Sequence, residues 1–135
     1  DHRDLHSFPT RRSSDLLRAV IEPFPSGKQN SFAAHNPPSL ALAVVRESGS
    51  GWSLANAFER PVQPRADSGL IAPSVAALDA YWGYVTQTYG TDSLKATTVL
   101  ALGPDLPLET LKKETAPNLE TWIGKVLEAL PAEEA

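Results

Sequence analysis

Apolar residues recur along this chain in two periods, and the switches between them mark its elements. Residues 40–45 read Leu-Ala-Leu-Ala-Val-Val, with no polar side chain among them. That length and apolarity predict a strand over 40–47, and the lack of alternation predicts cover on both faces, as in a central strand. Ser48-Gly49-Ser50-Gly51 reads as a flexible turn, and Trp52 to Phe58 predicts a second strand hairpin-paired with the first. Pro61 and Pro64 end it, and 61–72 is a loop. The period then becomes helical. Pro73 suits the first turn of a helix running to Tyr89, with Val75, Leu78, Trp82, Val85 and Tyr89 as one apolar stripe and Gly90 as its stop. Residues 96–102 predict a further strand, broken by Gly103 and Pro104, and 107–114 predict a short helix. Asn118 is a predicted cap for a last helix in which Leu119, Trp122, Ile123, Val126, Leu127 and Leu130 recur at helical spacing. Before all of this, Leu17 to Glu22 read as the last turns of a helix ended by Pro23 and Pro25. The order helix, strand, strand, helix, strand, helix predicts an α/β chain of the α+β kind, part of a ferredoxin-like or RRM-like sheet with helices.

Composition narrows the function. There is no cysteine, so neither a disulfide framework nor a thiolate metal site exists. No apolar run approaches the roughly 20 residues of a membrane span. The net charge of −4 is uneven: residues 23–66 carry +2 and residues 67–135 carry −6. A uniformly acidic chain argues against a nucleic-acid partner, but here the acid falls in the part read as solvent-facing helices.

The segment with the most chemistry is the loop 23–38, which holds four prolines, Gly27, Asn30 and Asn36. Those residues forbid a continuous helix or strand. Ser26, Gly27, Lys28, Gln29, Asn30 and Ser31 form a run rich in anion-binding groups. Lys28 is a mobile point charge at a loop apex, and amides near Gly27 can donate to phosphate oxygen. The same residues also fit a solvated turn of self-bonded side chains. A phosphate loop of the nucleotide-hydrolysing kind is excluded, because the glycine and hydroxyl positions it needs hold Glu22 and Gln29. Phe32 anchors the loop in the core or stacks on a base, and its neighbours Ala33 and Ala34 favour the core. His35 has no partner carboxylate at motif spacing and no second ligand, so it reads as structural or surface. No catalytic carboxylate pair, nucleophile and base, metal site or cofactor motif is visible.

Residues 25–38, the apolar strand and then Ala57-Phe58-Glu59-Arg60-Pro61-Val62 together resemble the C-terminal region of the CasC-type backbone subunit of the type I-E CRISPR Cascade complex. The order and spacing of the two blocks carry the resemblance over 25–62, and 63–135 fit more loosely. The resemblance implies a modified RRM-like palm of which this chain holds the trailing part. It implies a non-catalytic cytoplasmic protein that polymerises along CRISPR RNA, meets target DNA through that RNA and contacts other Cascade subunits. It also implies RNA contact in the segment Ser26–Ser31 and packing of neighbouring copies near Phe58 and Arg60; Trp52, which follows the flexible turn, is a further candidate interface residue on its position alone. Two other readings stay open on the residues alone: a fragment of an α/β small-molecule enzyme, and a protein-interaction module.

Residues 1–16 are set apart from this reading. All sixteen match one frame of a common short-read sequencing adapter, so an untrimmed read joined to a gene fragment is expected. On that view the native sequence starts near Leu17, His2 and His6 drop out of the argument, 17–131 are the subunit's C-terminal part and 132–135 are a frayed tail.

Overall fold

The structure is a computed structural model that describes residues 15–18, 37–47, 49–67 and 69–130. Strand β1 (Leu40–Arg46) lies antiparallel to β2 (Leu94–Ala101), and these two form the sheet of the described residues. Helix α1 (Ile71–Tyr89) connects them, and α2 (Leu119–Ala129) follows. The fold is α+β, as the order of patterns predicts.

The register explains the unbroken apolar run of β1. Leu40, Leu42 and Val44 pair with Ala101, Val99 and Thr97, and the residues between them pair as Ala41 with Leu100 and Ala43 with Thr98. Because side chains alternate across a strand, these two sets line opposite faces. Leu40, Leu42, Val44 and Ala101 pack around buried Trp82, Val99 and Leu111 on the α1 side. Ala41, Ala43 and Leu100 pack around buried Ala116, Trp122 and Ile123 on the α2 side. Over residues 40–44 of β1 the larger side chains therefore face α1, and the two alanines face α2, where the Trp122 indole packs. Its Nε1 donates to the Thr98 carbonyl at 3.1 Å.

Both helices have local causes. The Asn118 Oδ1 accepts from the Thr121 amide at 2.9 Å, satisfying one of the free N–H groups at the start of α2. Pro73 sits in the first turn of α1, where it removes no helical bond, and Gly90 ends the helix at φ 80, a conformation that glycine adopts without strain. Val75, Trp82 and Val85 of the predicted stripe are buried, whereas Tyr89 is 75% exposed.

Three expectations need correction. Residues 52–58 are not a strand: Leu54–Phe58 is a 3-10 helix packed against α1, and β2 holds the place beside β1 that a hairpin would have taken. The alternation of Trp52 and Leu54 serves instead to lay both side chains on the α1 face of the sheet. Residues 107–114 are not a helix beyond the single turn Lys112–Glu114, because the amides just before that turn are held by a side chain of α1 described below. The last strand begins two residues earlier than predicted and ends one earlier, at Leu94 and Ala101.

Candidate nucleic-acid interface

Ser26, Gly27, Lys28, Gln29, Asn30 and Ser31 lie outside the described residues, as do Phe32 and His35; the described chain resumes at Pro37 and Pro38 and enters β1 at Leu40. These two prolines fix φ in turn and remove two donors, so the strand is entered through a stiff, extended step.

Trp52, Phe58 and Arg60 are not brought together as one patch by any contact among the described residues. Trp52 is half-buried and belongs to the α1-side core. Its ring meets Trp82 edge-on at 5.9 Å and Tyr89 in a tilted arrangement at 6.5 Å. Phe58 is 43% exposed, and Arg60 is exposed.

Two polar residues organise the scaffold that would carry the loop, and sequence reasoning passed over both. Arg46 ends β1. Its guanidinium lies 4.5 Å from the Trp52 ring centroid, donates twice to Ser93 Oγ at 3.3 Å and donates to the Ser50 carbonyl. One cation thus ties the end of β1, the 49–52 turn and the approach to β2. Asp79 is the second. Although it is a carboxylate, only 5% of it is exposed. Its Oδ2 accepts from the amides of Glu109 at 3.2 Å and Thr110 at 3.0 Å, and its Oδ1 from Leu111 at 2.8 Å. Three N–H donors compensate the charge taken out of water. Gly83, one turn further on, has no side chain to hold the turn away: a Cβ there would stand 3.3 Å from Thr110 Oγ1. The signal for Asp79 was an acid inside the apolar stripe, four residues after Val75 and three before Trp82.

Elsewhere charge is sparse. Arg18 reaches Glu120 on α2 at 2.5 Å and holds its carboxyl below the ordinary carboxylate range through the hydrogen bond they share. Among the described residues, no group of three acids or histidines could hold a metal ion, and no helix is long and apolar enough to cross a membrane.

Comparison with known proteins follows from this geometry. The sequence model of the CT1975-like protein family, a Cas family, matches residues 7–125. Among curated proteins no sequence matches. A chain of a solved CRISPR RNA-guided surveillance complex superposes with a TM-score of 0.76 at 24% identity, over 89% of this chain and 44% of that one. A chain of a CRISPR RNA-guided surveillance complex in a pre-nicking state superposes with a TM-score of 0.73 at 24% identity, over 89% of this chain and 31% of that one. The chain therefore shares their fold and spans less than half the length of either.

Proposed function

The chain belongs to the CT1975-like protein family of Cas proteins, and from that membership we propose that it is the C-terminal part of a Cascade backbone subunit that holds CRISPR RNA without reacting with it. The family match over 7–125 is the observation that carries this reading. The shared fold agrees with it, and so do the two sequence blocks that resemble a type I-E subunit. In guide-carrying complexes base pairing reads the target, while protein grips the backbone and shape of the nucleic acid. A subunit of that kind needs donors and cations, not acid-base pairs. The loop Ser26–Ser31, with Lys28 at its apex, supplies them. On this reading target DNA is met through the RNA, other copies and other subunits pack alongside, with Trp52, Phe58 and Arg60 as candidate packing residues, and the protein works in the cytoplasm.

A separate proposal, resting on the match of residues 1–16 to one frame of a sequencing adapter, is that these residues are not native; against it stands the family match, which begins at residue 7. An uncontaminated assembly should show a different reading frame upstream of Leu17, among genes for other Cascade subunits. An independent genome encoding the same sixteen residues in frame would end this part of the proposal.

The functional test is Lys28→Ala in a protein carrying the rest of the longer relatives' chain. Guide RNA retention should weaken regardless of guide sequence, most at low salt, and should fall less steeply with rising salt than in the unaltered protein, because one phosphate contact is gone. Unchanged retention at both low and high salt removes Lys28 from the contact surface.

A further inference from the structure

Residues 67–135 are acidic, yet three of their four basic side chains converge on one groove. Lys95 on β2, Lys113 in the Lys112–Glu114 turn and Lys125 on α2 line a cavity of about 710 Å³ over the outer edge of β2. Two of the ten acids of this region, Glu114 and Glu128, share its walls. The groove is thus locally cationic within a sequence region that is otherwise strongly anionic. All three lysines are exposed, and among the described residues none is ion-paired. Lys95 has a structural cause for its position. Val45 pairs with Ala96 and Arg46 with Leu94, so Lys95 is the extra residue of a bulge. A bulge takes a side chain out of the strand's alternation and re-aims it. Here it directs a cation that would otherwise follow the α1 face. Thr91, Thr97 and Thr110 add hydroxyls to the lining. Lysines from three elements around threonine hydroxyls are the groups that contact phosphate and sugar in nucleic-acid complexes.

We propose that this groove binds the phosphate backbone of a single nucleic-acid strand, as a second contact surface separate from the loop before β1. It reads no sequence, since lysine and threonine contacts to phosphate carry none. It lies on the edge of β2 away from β1.

The test uses the 135-residue chain and fluorescein-labelled single strands of uridine RNA or thymidine DNA, roughly 12 nucleotides long. Anisotropy is read from about 50 to 200 mM salt. Lys95→Gln, Lys113→Gln and Lys125→Gln should each reduce the slope of log K against log salt by about 0.7, and the triple variant should weaken binding at least tenfold at the low-salt end. Glu114→Gln and Glu128→Gln should tighten binding, a gain that no loss of structure can imitate. Equal losses for RNA and DNA identify a phosphate site; a loss for RNA alone identifies one that also needs the 2′-hydroxyl. An unchanged salt slope in the triple variant overturns the proposal. So does a labelled hexaglutamate that binds as tightly as RNA, because the groove is then a general acid-binding or peptide surface. Loss of binding in Lys28→Ala with no effect of the triple variant sinks the groove and leaves the loop reading standing; the reverse result sinks the loop and leaves the groove.

Discussion

Single side chains decide more of this scaffold than its modest size suggests, and Asp79 is the strongest case. Its two oxygens accept three backbone amides of the 109–111 turn from within the α1 stripe. Asp79→Ala leaves those donors facing an apolar space and should cost about 3 kcal/mol, read as a lower urea midpoint with an unchanged slope. Asp79→Asn is the sharper probe. Its oxygen can still take Glu109 and Thr110, but its amide group then meets the Leu111 N–H, donor against donor. A loss close to that of alanine is expected, although volume is conserved. Thr98 predicts the opposite sign. It is fully buried, and among the described residues its hydroxyl has no partner. Thr98→Val keeps the shape and removes an unsatisfied polar atom, so stability should rise by about 1 kcal/mol in the same melts. A destabilised valine variant would mean that the hydroxyl has a partner, such as an ordered water. The Arg18–Glu120 pair sets a pH dependence of known sign. The carboxyl is depressed in the folded chain, so its contribution is present above its unfolded pKa and fades as pH falls through the folded one. The Arg18 side chain should lose its hold on α2 over that acid range, and Glu120→Gln should remove the dependence; amide exchange of α2's first turn checks both.

At the scale of elements, the capped helix is the simplest to test. Asn118→Ala removes the Oδ1 acceptor for the Thr121 amide and should cost about 1 kcal/mol, with Asn118→Asp neutral because a carboxylate caps equally well. This helix was also the most legible part of the chain, for the same reason: its cap, stripe and length are all local. The strand over 40–46 was legible too, since only a strand covered on both faces tolerates Leu-Ala-Leu-Ala-Val-Val. What that run could not reveal was its partner. Trp52, Leu54 and Phe58 alternate as a strand would, yet the alternation is equally good for a turn lying on an apolar sheet face, and β2, with Thr97, Thr98 and Val99, takes the ladder. The short helix expected at 107–114 failed for a tertiary reason: a carboxylate some thirty residues earlier takes the Leu111 amide, which a helix starting at Pro107 would have turned back to the Pro107 carbonyl. The candidate sites divide the same way. Ser26–Ser31 could be named from residue types, because a proline-bounded polar loop has a composition. The lysine groove could not, since Lys95, Lys113 and Lys125 meet only through the packing of three elements.

At the scale of the whole molecule, the two edges of the sheet are treated differently. The outer edge of β2 is protected by the Lys95 bulge and by Thr115, which bridges to Val99 while the Ala116 amide donates to the Val99 carbonyl at 2.7 Å. Bulges, lysines and covering segments are the usual means of stopping a further strand from adding. Among the described residues the outer edge of β1 has none of them. No described strand pairs with it, and its residues are apolar on both faces. An unprotected edge of that composition belongs to the interior of a wider sheet, in keeping with a chain that spans 44% of the solved chain it superposes on. The ladder makes this testable residue by residue. Since the Val99 carbonyl faces outward, its partner Leu42 is also turned away from β2, and Leu40 and Val44 share that direction, while Ala41, Ala43 and Val45 face β2. In the 135-residue chain at low concentration, hydrogen exchange should therefore alternate along β1: fast at Leu42 and Val44, slow at Ala41, Ala43 and Val45. In a protein carrying the remainder of the longer relatives' chain, all five should become slow as a neighbouring strand takes up the free amides. Uniform slow exchange in the short chain at every concentration would show that the edge is already covered, and the case for a wider sheet beside β1 would fall with it.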